Sequence, residues 1–184
     1  MISLPKVILV TGPAKSGKSE WAENLAVQTG KPIIYVATAV IDENDSEWLS
    51  RIEQHRQRRP QAWTTWEVPV QLVNAINLSQ DSCLLIDSLG TWVANLLEDD
   101  NTHWENTIQN LCSKLKNAEH DVILVAEEVG WGIVPAYPVG RIFRDRLGNL
   151  VRRVAAIADV VYLVTGGYVL NLTALGSPLP PYQE

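Results

Sequence analysis

The chain has 184 residues, which is typical of one domain, and 46% of them are hydrophobic while 20% are charged. This composition argues against extensive disorder, and the formal net charge of −6 disfavours tight non-specific binding to nucleic acid or an anionic membrane. The sequence shows no apolar stretch long enough for a membrane span and no signal peptide, and Cys83 and Cys112 lack the spacing of a zinc site. We therefore expect a single cytoplasmic domain over residues 1–184, with reduced thiols, no nucleic-acid partner and no transmembrane segment.

Short apolar runs alternate with segments of helical spacing along most of the chain. The runs are nearly continuous in Val, Ile and Leu, as in strands that helices cover on both faces. The alternation predicts an α/β fold with a mostly parallel sheet and helices on both faces. The predicted strands are 7–10, 33–37, 83–86, 122–126 and 160–164.

The ends of the first two helices can be predicted from individual residues. The first helix should begin around Lys18 and stop near Thr29, because Gly30 can take the left-handed conformation that ends a helix. A second helix should follow Asn44, whose side chain can cap the free amides while Glu47 reaches back to it. Later helices are predicted at 70–77, 91–97, 104–118 and 141–158, and the proline-containing tail 176–184 is predicted to be extended.

The segment between the first strand and the first helix matches the phosphate-loop pattern GxxxxGK[ST]. Its glycines permit a tight turn with inward-facing N–H groups, and the helix presents the positive end of its dipole to the same anion. Lys18 is expected to neutralise the β- and γ-phosphate oxygens of ATP or GTP, and Ser19 to place its hydroxyl on Mg²⁺. The predicted phosphate-binding residues are Gly12, Pro13, Ala14, Lys15, Ser16, Gly17, Lys18 and Ser19.

Acidic residues end two of the predicted strands. A phosphate loop needs a carboxylate on a neighbouring strand to hold the metal, and Asp87 closes the run 83–86 as such a residue would. Glu127 and Glu128 end the run 122–126 and compete for the same role, since all three open onto the sheet edge where α/β proteins bind ligands. Position alone does not choose among them, and any of them can equally cap a turn.

Segment 51–60 is the densest basic patch in this acidic chain. Helical spacing brings Arg51, Arg58 and Arg59 toward the face that carries His55. A neutral imidazole among guanidinium groups can attack phosphorus while the arginines stabilise the leaving pyrophosphate. The other interpretation is a solvated helix end in which His55 continues an apolar stripe, and spacing alone favours it.

Taken together, segments 12–19, 51–60, 84–87 with 95–97, and 128–135 resemble the adenosylcobinamide kinase/adenosylcobinamide-phosphate guanylyltransferase family. The resemblance continues through 141–145, 147–148 and 155–159, so it covers nearly the whole chain in order. It implies a P-loop NTPase fold of RecA-like type. It also implies two reactions of cobalamin biosynthesis: phosphorylation of adenosylcobinamide with ATP or GTP, then transfer of GMP from GTP to adenosylcobinamide phosphate, giving adenosylcobinamide-GDP and pyrophosphate.

The resemblance also implies roles for individual residues. His55 matches the histidine that carries GMP as a phosphoramidate, which reverses the interpretation from spacing. Lys18 and Asp87 join His55 as catalytic residues, Ser19 and Asp87 as metal ligands, and Arg51, His55, Arg58 and Glu128 extend the nucleotide-binding set. The family further implies a homotrimer with active sites between subunits.

The chain departs from the family pattern at several positions. Glu127 stands where Asn or Ser is usual, Val151 and Arg152 where an Asn-Gln pair is common, Pro13 where glycine is usual, and Trp131 where Met or Leu is usual. These changes bear on base preference and on cobinamide binding. Two alternatives stay open: a P-loop small-molecule kinase of another pathway, and a nucleotide-dependent regulatory or assembly protein.

Overall fold

The computed structural model describes residues 6–41, 44–79 and 81–180, except for the side chains of Arg51, Gln54 and His55. Strands and helices alternate through most of this part of the chain. In chain order they are β1 (Val7–Gly12), α1 (Lys18–Gln28), β2 (Ile33–Ala37), α2 (Ser46–Arg58), β3 (Thr64–Glu67), α3 (Leu72–Leu78), β4 (Cys83–Asp87), α4 (Leu89–Asn95), α5 (Asn101–Lys116), β5 (Asp121–Glu127), α6 (Pro138–Ala155), β6 (Val160–Thr165), β7 (Tyr168–Asn171) and α7 (Leu172–Leu175).

The strands form one sheet in the order β3-β2-β4-β5-β1-β6-β7. The pairings from β3 to β6 are parallel, and β7 alone pairs antiparallel in the described sheet. The predicted mostly parallel α/β sheet is therefore confirmed, with all five predicted strands in it. The prediction missed the edge strands β3 and β7, because both are short and carry exposed side chains instead of a buried apolar run.

Helices cover both faces of the sheet, as predicted. On one face, alternate strand residues such as Leu9, Leu84 and Leu124 pack with buried residues of α3, α4, α5 and α6. On the other face, residues such as Val10, Leu85 and Ile123 pack against Ala22 and Ala26 of α1. Because both faces are covered, the central strands tolerate almost no polar residue until their ends. Apart from Asp121, which begins β5, the charged residues of β1, β4 and β5 therefore lie at the carboxyl edge.

The ends of the first helices mostly follow the local signals. Gly30 takes a φ of 67°, the left-handed conformation predicted to end α1. The predicted cap of α2 is wrong by one residue: Asp45, not Asn44, accepts the Trp48 N–H at 2.9 Å. Asp45 is the residue with extended backbone directly before the helix, so its carboxylate reaches the free amides.

Several later helices begin earlier than predicted because polar caps precede their apolar residues. Ser88 caps α4 and Asp100 caps α5, so these helices begin at Leu89 and Asn101. Helix α6 begins at Pro138, which needs no hydrogen-bond partner for its nitrogen. Residues 176–180 form no helix or strand, and the rest of the predicted extended tail lies outside the described residues.

The segment that follows β4 is held firmly at the carboxyl edge. The amide of Asn95 donates to the carbonyls of Thr38 and Pro69 at 2.7 and 2.9 Å, and the hydroxyl of Thr38 donates to the Ser88 carbonyl at 2.7 Å. Buried Arg146 of α6 donates to the carbonyls of Leu96 and Asp99, beyond the end of α4. These bonds tie α4 to β2 and α6, and so fix the surroundings of Asp87.

The two cysteines are free, as predicted; Cys83 is buried and Cys112 is half-buried. Burial raises the pKa of the Cys83 thiol to about 12, with a smaller contribution from the Asp121 carboxylate. Burial likewise raises the pKa of Cys112. Both thiols are therefore poor nucleophiles at neutral pH. No helix in the described part of the chain is long and apolar enough to span a membrane.

Candidate active site

The loop between β1 and α1 has the backbone of an anion cradle. Lys15 and Gly17 have φ values of 57° and 91°, and Gly17 is the N-cap of α1. Left-handed residues in such a turn direct successive N–H groups to one side, next to the positive end of the helix dipole. The N–H of Ser16 donates to the Pro13 carbonyl at 3.3 Å, which closes the turn. Pro13 thus supplies an acceptor to the loop, although it offers no N–H.

The start of the loop is packed tightly against β6. A Cβ added at Gly12 would lie 2.7 Å from the Ser16 hydroxyl oxygen and closer still to the Val164 carbonyl oxygen. Only glycine fits at this position. The Ser16 hydroxyl is buried and has no hydrogen-bond partner within the described residues, so the loop contains a polar group that can bind a ligand.

Lys18 is unusually enclosed for a lysine, with 8% relative exposure. Its ammonium lies 3.4 Å from the Pro13 carbonyl oxygen, within the loop. Ser19, the next residue, is half-buried at the start of α1. A fixed cation and a hydroxyl at a helix N-terminus are suited to a polyphosphate and its cation. Ala14 and Lys15, in the same loop, are exposed.

The three predicted acids lie at the carboxyl edge in different surroundings. Asp87 ends β4 and accepts a hydrogen bond from the Tyr35 hydroxyl at 2.8 Å. Glu128 accepts one from the Thr11 hydroxyl at 2.6 Å, and its own N–H donates to the Gly12 carbonyl at 2.9 Å. Glu128 is therefore fixed to β1 directly beside the phosphate loop.

Glu127 lies between them on β5, paired in register with Gly12. Its Oε2 atom is buried and has no hydrogen-bond partner in the described part of the chain. Burial raises the pKa of Glu127; a hydrogen bond from Ser88 and the charge of Lys18 oppose that effect, and Asp87 adds to it. Helix α4 approaches closely, since a Cβ added at Gly90 would lie 2.7 Å from the Glu127 carboxyl carbon. The enclosed Oε2 atom, beside the loop lysine, is available for a proton, a cation or a substrate hydroxyl.

The basic segment forms α2, whose backbone carries His55, but the side chains of Arg51 and His55 lie outside what the structure describes. Arg58 donates to Glu23 of α1 at 2.8 Å and to Glu20 at 3.2 Å. It therefore ties α2 to the helix that follows the phosphate loop. The predicted nucleotide contacts of these residues stay predictions.

Arg59, which helical spacing had placed on the His55 face, lies just beyond α2 and was not in the nucleotide-binding set that the resemblance implies. Its guanidinium carbon lies 3.5 Å from the centre of the buried Tyr35 ring. Its Nε is buried and has no hydrogen-bond partner within the described residues. The basic segment had pointed to Arg59 as one of several arginines, but the sequence contained no signal that Tyr35, in the middle of an apolar strand, would contact it.

A cleft of about 840 Å³ opens beside α2, between α3 and the ends of β2 and β3. Its walls are mostly apolar, with a few charged and amide groups, and its size suits a nucleoside. It begins at Ala37, the residue paired with Asp87, so it shares the carboxyl edge with the phosphate loop. The polar lining residues are Arg56, Arg59, Thr65, Glu67, Gln71 and Asn74.

Residues 8–172 match the family described as Cobinamide kinase / cobinamide phosphate guanyltransferase. The chain belongs to this family. It is 37% identical over 178 residues to the Bifunctional adenosylcobalamin biosynthesis protein CobU of Escherichia coli K12 and 38% identical to that of Salmonella typhimurium LT2, in each case over 88% of this chain and 96% of the relative. The corresponding CobP of Pseudomonas aeruginosa is 36% identical over 93% of this chain and 98% of the relative.

A solved structure from Pyrococcus horikoshii OT3 is only 7% identical but covers 97% of this chain and 94% of its own, with a TM-score of 0.54. It agrees with the α/β fold and carries no information on activity. The family membership confirms the predicted family and the enzyme class, a kinase and guanylyltransferase acting on cobinamide and nucleotide substrates in cobalamin biosynthesis. It also favours this class over a kinase of another pathway and over a regulatory protein.

Proposed function

We propose that this chain transfers a phosphoryl group to adenosylcobinamide and then a GMP group to the product, with His55 as the covalent carrier of GMP. Family membership and one structural observation support this proposal: Arg58 of the cationic helix α2 donates to Glu20 and Glu23 of α1, the helix that begins at the enclosed Lys18 of the phosphate loop. The triphosphate cradle and the helix that carries the nucleophile are therefore neighbours.

In the first reaction, the substrate hydroxyl oxygen bonds to the γ-phosphorus of ATP or GTP, and the bond to the bridging oxygen breaks to release the nucleoside diphosphate. Lys18 neutralises charge on the phosphate oxygens, and Gly17 and its neighbours direct N–H groups to them. The hydroxyl proton passes to a carboxylate at this edge. Asp87 and Glu127 both have the position for this role; Glu127 has an oxygen without a protein partner.

In the second reaction, an imidazole nitrogen of His55 bonds to the α-phosphorus of GTP, and pyrophosphate leaves. A phosphate oxygen of adenosylcobinamide phosphate then bonds to the same phosphorus, the phosphorus–nitrogen bond breaks, and adenosylcobinamide-GDP is released with His55 restored. Arg51, Arg58 and Glu128 are the proposed nucleotide contacts that the family resemblance implies, and Arg59 joins them because it lines the cleft beside α2.

The donor set at the edge fits Mg²⁺, which prefers hard oxygen ligands and keeps several waters. Ser19 and Asp87 would hold it, and the unpaired Oε2 of Glu127 is a further oxygen donor at this edge. When bound, Mg²⁺ would supply positive charge that offsets the negative charge of the phosphate groups.

The covalent step is tested with GTP labelled in the α-phosphate. We expect the protein to acquire acid-labile label, and His55→Ala to acquire none. His103→Ala is the matched control, because His103 is an exposed histidine on α5 and should leave labelling unchanged. An unlabelled parent protein, or a fully labelled His55→Ala protein, would refute the covalent mechanism.

The kinase step is tested separately with Lys18→Ala, with conversion of adenosylcobinamide to its phosphate as the measurement. We expect turnover to be abolished, whereas Lys114→Ala, which removes an exposed lysine from the last turn of α5, should behave as the parent protein does. Normal turnover by Lys18→Ala would contradict the proposed role of the loop.

We also propose that the chain is a single cooperative domain that assembles as a homotrimer, as the family resemblance implied. Exposed apolar residues on loop 131–137 and on β7 are available for subunit contacts. Sedimentation of the purified protein should give the mass of a trimer. A monomer at the concentrations used for assays would contradict the assembly but leave the chemistry of the phosphate loop intact.

A further inference from the structure

Tyr35 connects two parts of the site that are far apart in the sequence. It lies in the middle of β2 and is 2% exposed. Its hydroxyl donates to Oδ2 of Asp87 at 2.8 Å, and its ring lies 3.5 Å from the guanidinium carbon of Arg59. One buried side chain therefore contacts both Asp87, at the end of β4, and Arg59, directly after the helix that carries His55.

The contact with Asp87 fixes a carboxylate. Tyr35 pairs in register with Leu85, so its side chain and that of Asp87, two residues on, share a face of the sheet. The Tyr35 hydroxyl is a hydrogen-bond donor, and it occupies Oδ2 of Asp87. A donor on one oxygen orients the other oxygen of Asp87, as outer-shell partners do at metal sites.

The contact with Arg59 fixes the end of α2. The Arg59 N–H donates to the Arg56 carbonyl at 3.2 Å, and its guanidinium stacks on the Tyr35 ring. The preceding residue, Arg58, pairs with Glu20 and Glu23 of α1. Two adjacent arginines thus fasten α2, one to α1 and one to Tyr35. Because Arg59 also lines the cleft, its stacked position determines where its N–H groups can meet a phosphate.

We propose that Tyr35 is a positioning residue for both reactions: its hydroxyl orients Asp87 for phosphoryl transfer, and its ring orients the helix that carries His55 for GMP transfer. This inference rests on the proposed function, since it assigns the hydroxyl to the phosphoryl transfer and the ring to the GMP transfer. A residue of the core alone would affect both reactions equally, through stability. Tyr35 should instead affect them separately, according to which part of the side chain is removed.

Tyr35→Phe removes the hydroxyl and keeps the stacked ring. We expect kcat for phosphorylation to fall about tenfold, the loss typical of an outer-shell partner, with the nucleotide KM nearly unchanged. The rate of GMP labelling of His55 should stay within about twofold of the parent rate, a difference of under 0.5 kcal/mol. Tyr35→Leu, which also removes the ring, should in addition lower the rate of GMP labelling, because Arg59 then loses the ring on which it stacks. The matched control is Tyr162→Phe, a second tyrosine on this face, whose ring packs edge-on against Trp21.

Calorimetry gives a readout that does not depend on turnover. A non-hydrolysable GTP analogue is titrated with and without Mg²⁺, and Tyr35→Phe should lose part of the Mg²⁺-dependent gain in affinity that the parent protein shows. Thermal unfolding of each variant is measured beside it. If the parent protein binds the analogue but turns over no cobinamide, the proposed function fails while this comparison still tests Tyr35.

Two results would overturn the inference. One is a Tyr35→Phe protein with parental phosphorylation and parental Mg²⁺-dependent binding. The other is a Tyr35→Phe protein in which the rates of both reactions fall by the same factor as the folded fraction. That result would mean that Tyr35 contributes only to the stability of the core. If Tyr35→Phe proves less stable, both rates are measured at a temperature at which it is fully folded. Loss confined to phosphorylation then supports the positioning role, and equal loss of both reactions refutes it.

Discussion

Substitution of Gly12 by alanine should damage both the fold and the phosphate loop, and the structure gives the size of the effect. The new Cβ would lie 2.7 Å from the Ser16 hydroxyl oxygen and nearer still to the Val164 carbonyl oxygen, whereas ordinary contact begins at about 3.4 Å. Ser16 can rotate, but Val164 is backbone of β6 and can move only if the edge between β1 and β6 opens. Overpacking of this kind costs about 1–3 kcal/mol. We therefore expect Gly12→Ala to lower the free energy of unfolding by about 1–3 kcal/mol or more.

The assay compares Gly12→Ala with Gly148→Ala in chemical and thermal unfolding. Gly148 lies within α6, and a Cβ there meets nothing within 4 Å, so this alanine should stabilise the helix by about 0.5–1 kcal/mol. For a chain of this length each kcal/mol corresponds to roughly 2–4 °C in Tm. Nucleotide affinity should also fall about tenfold or more in Gly12→Ala, equivalent to 1.4 kcal/mol. A Gly12→Ala protein with parental Tm and parental affinity would refute the packing argument.

Three further substitutions test other parts of the structure. Folding raises the pKa of Glu127 above its ordinary value of 4.5, so ionisation of this carboxyl at higher pH lowers the stability of the folded protein. Glu127→Gln should therefore be more stable than the parent protein at pH 7. Urea unfolding should show that this advantage is lost below pH 4.5. Arg146→Met leaves the carbonyls of Leu96 and Asp99 without their charged donor and should lower the free energy of unfolding by about 2–4 kcal/mol. Asp45→Ala removes the cap of α2 and should cost about 1 kcal/mol, whereas an unchanged urea midpoint would contradict the observed cap.

Much of the fold could be predicted because its signals are local. Apolar runs bounded by helical spacing predicted the five central strands, since strands covered on both faces have almost no alternation to obscure them. The phosphate loop was predicted for the same reason: its glycines, Lys18 and Ser19 act within eight consecutive residues. The edge strands were missed because exposed strands of four residues have no comparable signal.

The order of the strands decided which polar groups meet. The sequence around Tyr35 predicts only a core residue of an apolar strand. Parallel pairing of β2 with β4 nevertheless brings Tyr35 into contact with Asp87, 52 residues later. The sequence around Gly90 predicts only a helix residue, but in the structure the Glu127 carboxyl group at the end of β5 packs closely against it. Such contacts depend on register and on the packing of helices over the sheet, which no short segment encodes. The sequence by itself determined the family, the central strands and the phosphate loop; only the tertiary structure decided the surroundings of each acid and the contact between Tyr35 and Arg59, because those arise from pairing and packing between segments distant in the chain.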